Sequence, residues 1–328
     1  MKYIEHGKGG TPDCMHIADT AKPVPGEGEI LIEVAYAGVN RPDVLQRSGK
    51  YPPPPGASPI LGLEVSGRVA AIGANVSEYK VGDLVTALTP GGGYAEFCTV
   101  PAAQVLPIPA GVDLATAACL PENWFTVWAN LTQHGHLVAG ERILIHGGSS
   151  GIGLTAVQLA NHLKAETIVT VGSDEKAEFC KKFGATHAIN YRDTDFVTEV
   201  GKLTNGGGVD VVLDMVGAPY FNKNLSLLKR DGRLVIVAFL EGSKDEFDLM
   251  PIMLKRLVVT GSTMRPRTIA EKQVLRDDLR REIWPAIESG KIQTHIHARF
   301  GLAQASKAHL LMESSKHIGK IVLEVNPM

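Results

Sequence analysis

Residues 141–163 read ERILIHGGSSGIGLTAVQLANHL, an apolar run that meets a glycine-rich turn and passes at once into a segment of helical periodicity. Residues 143–145 predict a strand. Ile152, Ala156, Leu159 and Leu163 recur at spacings that bury one face of a helix, so the glycine-rich segment falls at the helix entrance. The first amides of a helix lack partners within it and its N-terminal end carries partial positive charge, so this position favours a diphosphate. The usual dinucleotide fingerprint is GxGxxG; here the run is Gly148-Ser149-Ser150-Gly151-Ile152-Gly153, with serine at the second glycine position. Gly148 is expected to make the tight turn, and Gly153 to let helix and strand pack closely. A Gly/Ser-rich turn that merely links a strand to a helix looks the same, so the surroundings decide.

Downstream, strand-like and helix-like patterns alternate: 167–171, 175–183, 188–190, 196–203, 209–213, 221–228, 233–238 and 257–260. Alternation of this kind predicts a parallel sheet, with six strands counted from Arg142. Near-continuous apolar runs such as 209–213 (VDVVL) and 234–237 (LVIV) suit strands covered by helices on both faces. The class is α/β, a Rossmann-type doubly wound sheet.

In an NAD-preferring fold of this kind, an Asp or Glu about 20 residues past the glycine turn ends the second strand and accepts the ribose hydroxyls. This chain has Val171-Gly172-Ser173 there. Without a carboxylate nothing repels a 2′-phosphate, Ser173 can donate to it, and Lys176 brings a mobile cation one helical turn on. That favours NADPH. Asp174 and Glu175 are adjacent and leave a ribose contact, hence NADH, open; their ordinary role is to favour the start of the next helix.

The 328 residues predict two domains, and 44% hydrophobic content supplies their cores. No apolar run approaches the ~20 residues needed to span a bilayer, and MKYIEHGKGG lacks the pattern of a secretory signal, so the expected location is cytoplasmic. A net charge of −2 with both signs dispersed offers no basic face, which argues against nucleic acid as a partner. Cys14, Cys98, Cys119 and Cys180 are too scattered for a structural zinc site or a redox dithiol. His295 and His297 form an i, i+2 pair on a strand, without an evident third ligand. His146 runs into the glycine turn and is expected to pack beside the cofactor rather than to act on substrate.

The first 120 residues have another texture: short strands such as 30–37 and 64–72 separated by turns at Pro25-Gly26, 52–56, Val81-Gly82-Asp83 and Gly91-Gly92-Gly93. They predict a largely antiparallel, loop-rich unit. After the parallel sheet come a long helix over 269–289, a strand over 296–300, a helix over 303–312 and a final strand over 321–324, expected to return to the first domain. The division expected is 1–122 with 264–328, and 123–263 for the nucleotide domain, with the active site in the cleft between domains. The last parallel strand, near 257–261, leaves an edge that pairing with its twin in a homodimer would cover.

Residues 40–51 (NRPDVLQRSGKY), the proline run into Pro55-Gly56, 61–67 (LGLEVSG), Val81-Gly82-Asp83, 93–96 (GYAE), 121–124 (PENW), the glycine turn, Gly184-Ala185 and 319–323 (GKIVL) together resemble the quinone oxidoreductases. The likeness is to the zinc-free, zeta-crystallin-like branch of the medium-chain dehydrogenases/reductases, closest to its tumour-suppressor-inducible subgroup, which shares the Ser150 variant. It implies a GroES-like antiparallel domain beside the Rossmann domain, and a dimer. Zinc alcohol dehydrogenases of the superfamily carry Cys where Asn40 stands and His where Leu63 stands; neither Asn nor Leu replaces a thiolate or imidazole ligand, so no metal is expected.

The implied activity is NADPH-dependent reduction of a quinone or enone, with the cofactor carrying the chemistry. By resemblance Asn40 and Tyr51 line the pocket, Gln46 its edge, Thr126 lies near the nicotinamide, Tyr191 near the adenosine, and the backbone of Phe239 and Leu240 near the carboxamide. Asn40 can equally brace the turn before Pro42, Tyr51 can pack beside the prolines, and Arg41 and Asp43 are expected to form an ion pair or cap their helix. A neighbouring activity, reduction of alkenal or enoyl double bonds, and a non-catalytic NADPH- or RNA-binding role as in crystallin-like proteins remain alternatives.

Overall fold

The apolar run at 143–145 is the centre of strand β1 (Arg142–His146) in the computed structural model, which describes residues 1–328. The periodic segment behind it is helix α1 (Gly151–His162). The alternation continues through β2 (Glu166–Val171), α2 (Asp174–Lys182), β3 (His187–Asn190), α3 (Phe196–Leu203), β4 (Val209–Asp214), α4 (Phe221–Leu227), β5 (Leu228–Ile236), α5 (Met250–Lys255) and β6 (Val258–Gly261). All five pairings are parallel, in the order 3-2-1-4-5-6. The doubly wound sheet expected from the alternation is thus present with six strands, and its order reverses beside β1, where such sheets bind ligands. Leu144, Ile168, Val212 and Leu234 are fully buried in its core, each stabilising the fold by about 1.5–3 kcal/mol relative to exposure.

This unit comprises Thr126–Met264; the rest of the chain, Met1–Phe125 with Arg265–Met328, forms a second compact unit. Its seven-stranded sheet is built around the long strand Glu29–Val39, which pairs antiparallel with Glu64–Ile72, Phe97–Pro101 and Lys320–Glu324. One pairing, Ile296–Gly301 with Lys320–Glu324, is parallel. Ile30, Ile32, Val34, Val65, Val69 and Leu323 alternate inward to make its core.

The single helix expected over 269–289 is two, Ile269–Glu282 and Trp284–Glu288. Pro285 has no amide to donate and its ring crowds the preceding turn, so the first helix ends and another begins. No helix is long and apolar enough to cross a membrane.

Candidate functional site

Where β1 gives way to α1, Gly147 takes a left-handed backbone (φ +65°) and the Ser150 amide donates to its carbonyl at 2.9 Å. The tight turn expected of Gly148 is therefore made by Gly147. Gly148 is glycine for another reason: a Cβ there would stand 2.5 Å from Val169 on β2. At Gly153 a Cβ would stand 2.4 Å from the Gly147 carbonyl oxygen, the close helix–strand contact its spacing predicts. Ser150 is the N-cap of α1, with Oγ accepting from the Gly153 amide at 3.0 Å. A serine at the second fingerprint position thus secures the helix start and leaves the Gly151 and Ile152 amides, beside buried Ser149, with no acceptor in the helix. This twelve-residue helix presents its positive end to the crevice, and the donor set fits a diphosphate.

The end of β2 supplies the neighbouring chemistry. Ser173 caps α2, its Oγ accepting from the Lys176 amide at 3.3 Å. Asp174 turns away toward β3, where its Oδ1 accepts from Asn190 Nδ2 at 3.0 Å. Tyr191 and Arg192 close over Gly172: the Tyr191 hydroxyl oxygen and Arg192 Nε lie 2.9 and 3.5 Å from the point a Gly172 Cβ would occupy. Burial, and then Arg192, holds the Lys176 ammonium below its usual pKa, which puts both cations at one strand end. Arg192 was not among the expected residues. Its signal is the sheet register: Asn190 pairs with Val171, so whatever follows β3 lies beside whatever follows β2.

Phe239 and Leu240 are exposed on the loop after β5, and the Leu240 amide donates to the Met215 carbonyl at 3.1 Å. Composition alone would have put Phe239 in the core. Thr126 is half-buried on the helix Pro121–Trp128, its carbonyl accepting from Asn130 Nδ2 at 2.8 Å.

In the other unit, the helix Arg41–Arg47 begins at Asn40, whose backbone amide donates to Asp43 Oδ2 at 2.8 Å. The Asn40 side chain does something else. Its Nδ2 donates to Glu64 Oε1 at 2.9 Å and its Oδ1 accepts from Lys320 Nζ at 2.6 Å, while Lys320 also reaches Glu64 Oε1 at 2.7 Å. All three are buried. Burial works against the Lys320 ammonium, but Glu64, Cys119 and Glu122 together outweigh it and hold the pKa above the usual lysine value. Glu64 Oε2 accepts from the Glu122 amide at 2.9 Å. The Glu122 carboxyl is pushed up to about 8 by burial, then by repulsion from Glu64 and Asp43.

Gln46 spans two contacts: Nε2 donates to the Pro59 carbonyl and Oε1 accepts from Arg265 Nη1, both at 2.8 Å. Arg265 also donates from Nε and Nη2 to the Pro90 carbonyl, and its Cζ lies 5.6 Å from the centre of the half-buried Tyr51 ring. Burial and then Glu122 raise the Tyr51 hydroxyl's pKa, so it stays a donor at neutral pH. Arg265 thus joins Gln46 and Tyr51, and Lys320 with Glu64 clasps Asn40. None of Arg265, Lys320, Glu64 or Glu122 was expected. For Glu64 and Lys320 the readable sign was a charge opening an apolar strand, as in Glu64-Val65-Ser66 and Lys320-Ile321-Val322.

The expected Arg41–Asp43 ion pair is absent. Arg41 Nη2 donates to the Met312 carbonyl and Ser315 Oγ, whereas Asp43 accepts the Asn40 and Gly62 amides and so does cap its helix. His297 Nδ1 accepts from the Ile318 amide at 3.3 Å. No group of three His, Cys, Asp or Glu side chains is placed to hold a metal ion.

Comparison with known proteins places these units. Residues 26–110 match the alcohol dehydrogenase GroES-like domain and residues 151–277 the zinc-binding dehydrogenase domain. The chain is 32% identical to the quinone oxidoreductase of Lama guanicoe, covering 98% of this chain and 97% of that protein. It is equally 32% identical, over 96% of its length, to a phenolphthiocerol/phthiocerol polyketide synthase of Mycobacterium tuberculosis, but spans only 14% of that protein. Among solved structures, Escherichia coli quinone oxidoreductase complexed with NADPH superposes with a TM-score of 0.89 at 31% identity, covering 99% of this chain and 100% of that one. The CurK enoyl reductase superposes with a TM-score of 0.86 at 29% identity, covering 98% of each chain.

Proposed function

Because the chain belongs to the quinone oxidoreductase family of the medium-chain dehydrogenases/reductases, we propose that it is an NADPH-dependent, zinc-independent reductase of quinones. The observation that carries this reading is the nucleotide crevice: two acceptor-less amides at the start of α1, with Lys176 and Arg192 at the end of β2 and Asp174 turned away to Asn190. The Gly151 and Ile152 amides hold the diphosphate, and Ser173, Lys176 and Arg192 hold the 2′-phosphate. Tyr191 lies against the adenosine, Thr126 near the nicotinamide and the 239–240 backbone near its carboxamide. The cofactor supplies the hydride or electrons.

Tyr51 stacks on the electron-poor ring and donates its hydroxyl to the oxygen that gains charge. Asn40 has committed its carbonyl to Lys320 and one N–H to Glu64, which leaves one N–H for the acceptor. Gln46 works through Arg265, on which Tyr51 leans. Zinc independence rests on the donor set: residue 63 is leucine, and the Lys320 ammonium places a positive charge against Asn40 and Glu64.

Steady-state NADPH oxidation with an ortho-quinone, a para-quinone, an alkenal and a crotonyl thioester tests the substrate class. Quinones are turned over fastest; dominant thioester turnover transfers the protein to the double-bond reductases, the reading favoured by the CurK likeness. Arg192→Ala raises the KM for NADPH about tenfold or more, as loss of a charge-assisted contact does, and leaves that for NADH unchanged. A net charge of −2 disfavours the RNA-binding alternative. A second copy of the chain completes the reading. The β6 edge, with Val258 and Val259 exposed, and the exposed Met250, Met253 and Leu254 of α5 are the apolar groups that a two-fold dimer would cover, which light scattering tests.

A further inference from the structure

Four buried polar side chains cross the C-terminal ends of β2, β1 and β4. Thr170 Oγ1 lies 2.9 Å from His146 Nδ1, His146 Nε2 lies 2.8 Å from Asn224 Oδ1, and Asn224 Nδ2 lies 3.3 Å from Asp214 Oδ2. Each is at most 1% exposed. Their polarity follows by elimination. An ionised Asp214 only accepts, so Asn224 turns its Nδ2 to it and its Oδ1 to His146. His146 Nε2 therefore carries the proton. Burial drives the imidazole pKa down to about 4, so the ring is neutral, Nδ1 is a lone pair and Thr170 donates to it. The chain runs one way, from Thr170 through His146 and Asn224 to Asp214.

At its end Asp214 grips a loop. Its carboxylate accepts the Val216 amide at 2.7 Å and the Gly217 amide at 3.3 Å. The loop faces the cofactor crevice on two sides. Toward the glycine turn, Met215 Sδ lies 2.6 Å from the point a Gly147 Cβ would occupy and 3.8 Å from Ser150 Oγ. Toward the loop after β5, the Met215 carbonyl accepts the Leu240 amide at 3.1 Å, and the Val216 carbonyl accepts the Glu241 amide at 2.9 Å.

We propose that Asp214 is a positioning residue of the coenzyme site: through residues 215–217 it sets the distance between the diphosphate turn and the 239–241 loop, and so holds NADPH at both its diphosphate and its nicotinamide end. This rests on the NADPH reading above. It does not involve the adenosine 2′-phosphate end, which is built on Ser173, Lys176 and Arg192.

Asp214→Asn keeps the shape but turns Oδ2 from acceptor into donor, facing both Asn224 Nδ2 and the Gly217 amide; even with the Asn224 amide and the His146 tautomer reversed, the negative charge and one acceptor for the loop are lost. The dissociation constant for NADPH rises about tenfold or more, whereas that for adenosine 2′-monophosphate, which has no 5′-phosphate and so occupies only the adenosine end, stays within about twofold. The swap Asp214→Asn with Asn224→Asp restores the pairing between positions 214 and 224 and with His146, keeps the Val216 and Gly217 amides on Oδ1, and returns the NADPH constant to within about threefold of the parent. Asp214→Asn binding NADPH as the parent does, or losing both ligands in parallel, overturns the proposal. So does a swap that fails to recover affinity or fails to fold. A parent protein that binds neither NADPH nor adenosine 2′-monophosphate sinks the cofactor reading instead.

Discussion

The two units build their sites from different materials. In the nucleotide unit the groups proposed to face the ligand are largely backbone: amides left over at a helix start, shaped by glycines whose Cβ would collide with Val169 or with the Gly147 carbonyl. In the other unit they are side chains, and they are held by charges taken out of water, with Lys320 and Glu64 clasping Asn40 and Arg265 tying Gln46 beside Tyr51. A backbone site tolerates exchange of almost any side chain except the absent one. A site of buried charges fails when one partner leaves, because the other stays desolvated and unpaired.

The largest effect expected from that contrast is in the charged unit. Lys320→Met leaves Glu64 buried without its cation and destabilises the protein by about 3–5 kcal/mol in urea denaturation, while Lys320→Met with Glu64→Gln recovers most of the loss. An unchanged midpoint in the single variant would show that water reaches this pair and would remove the contrast. Next comes the backbone site. Gly153→Ala forces a Cβ against the Gly147 carbonyl, and NADPH binding measured by titration weakens about a hundredfold, ~2.7 kcal/mol, with a smaller change in the urea midpoint than Lys320→Met produces.

The third prediction concerns acid. His309 is buried in the charged unit, where Arg47 Nη1 donates to its Nδ1 and its Nε2 faces the Tyr94 hydroxyl. Burial first, and then Arg47, push its pKa down to about 3 from 6.5. The unfolded chain therefore binds a proton below pH 6.5 that the folded protein refuses. The stability this group contributes is complete above pH 6.5 and is lost as the pH falls toward 3, by up to about 1.4 kcal/mol per pH unit. His309→Gln makes the acid limb of the stability curve shallower by that amount between pH 6 and 4.5. Parallel curves for the two proteins would show that the buried ring does not resist protonation.

The nucleotide unit was the more legible of the two. Its strands are near-continuous apolar runs punctuated by turn residues, so their number and parallel direction follow from local pattern. Even there the turn was shifted by one residue, because Gly147 and Gly148 look alike in sequence and only their φ angles and the approach of Val169 tell them apart. The long helix over 269–289 misled because its periodicity continues through Pro285, where the backbone cannot. Arg192 stayed hidden because it lies 19 residues past Ser173 and reaches the same place only through the β2–β3 pairing.

By itself the amino-acid order determined the doubly wound sheet, the helix that starts on a glycine turn and the lack of a carboxylate where an NAD-preferring chain carries one, since each depends on neighbours a few residues apart. Only the tertiary structure decided that Asn40 is clasped between Lys320 and Glu64, that Arg265 braces Tyr51, and that a one-way chain of hydrogen bonds ends on Asp214. Those groups are tens to hundreds of residues apart along the chain. Their meeting is set by strand register and burial, and the energy of a buried charge depends on which partner it finds there rather than on the residues beside it in sequence.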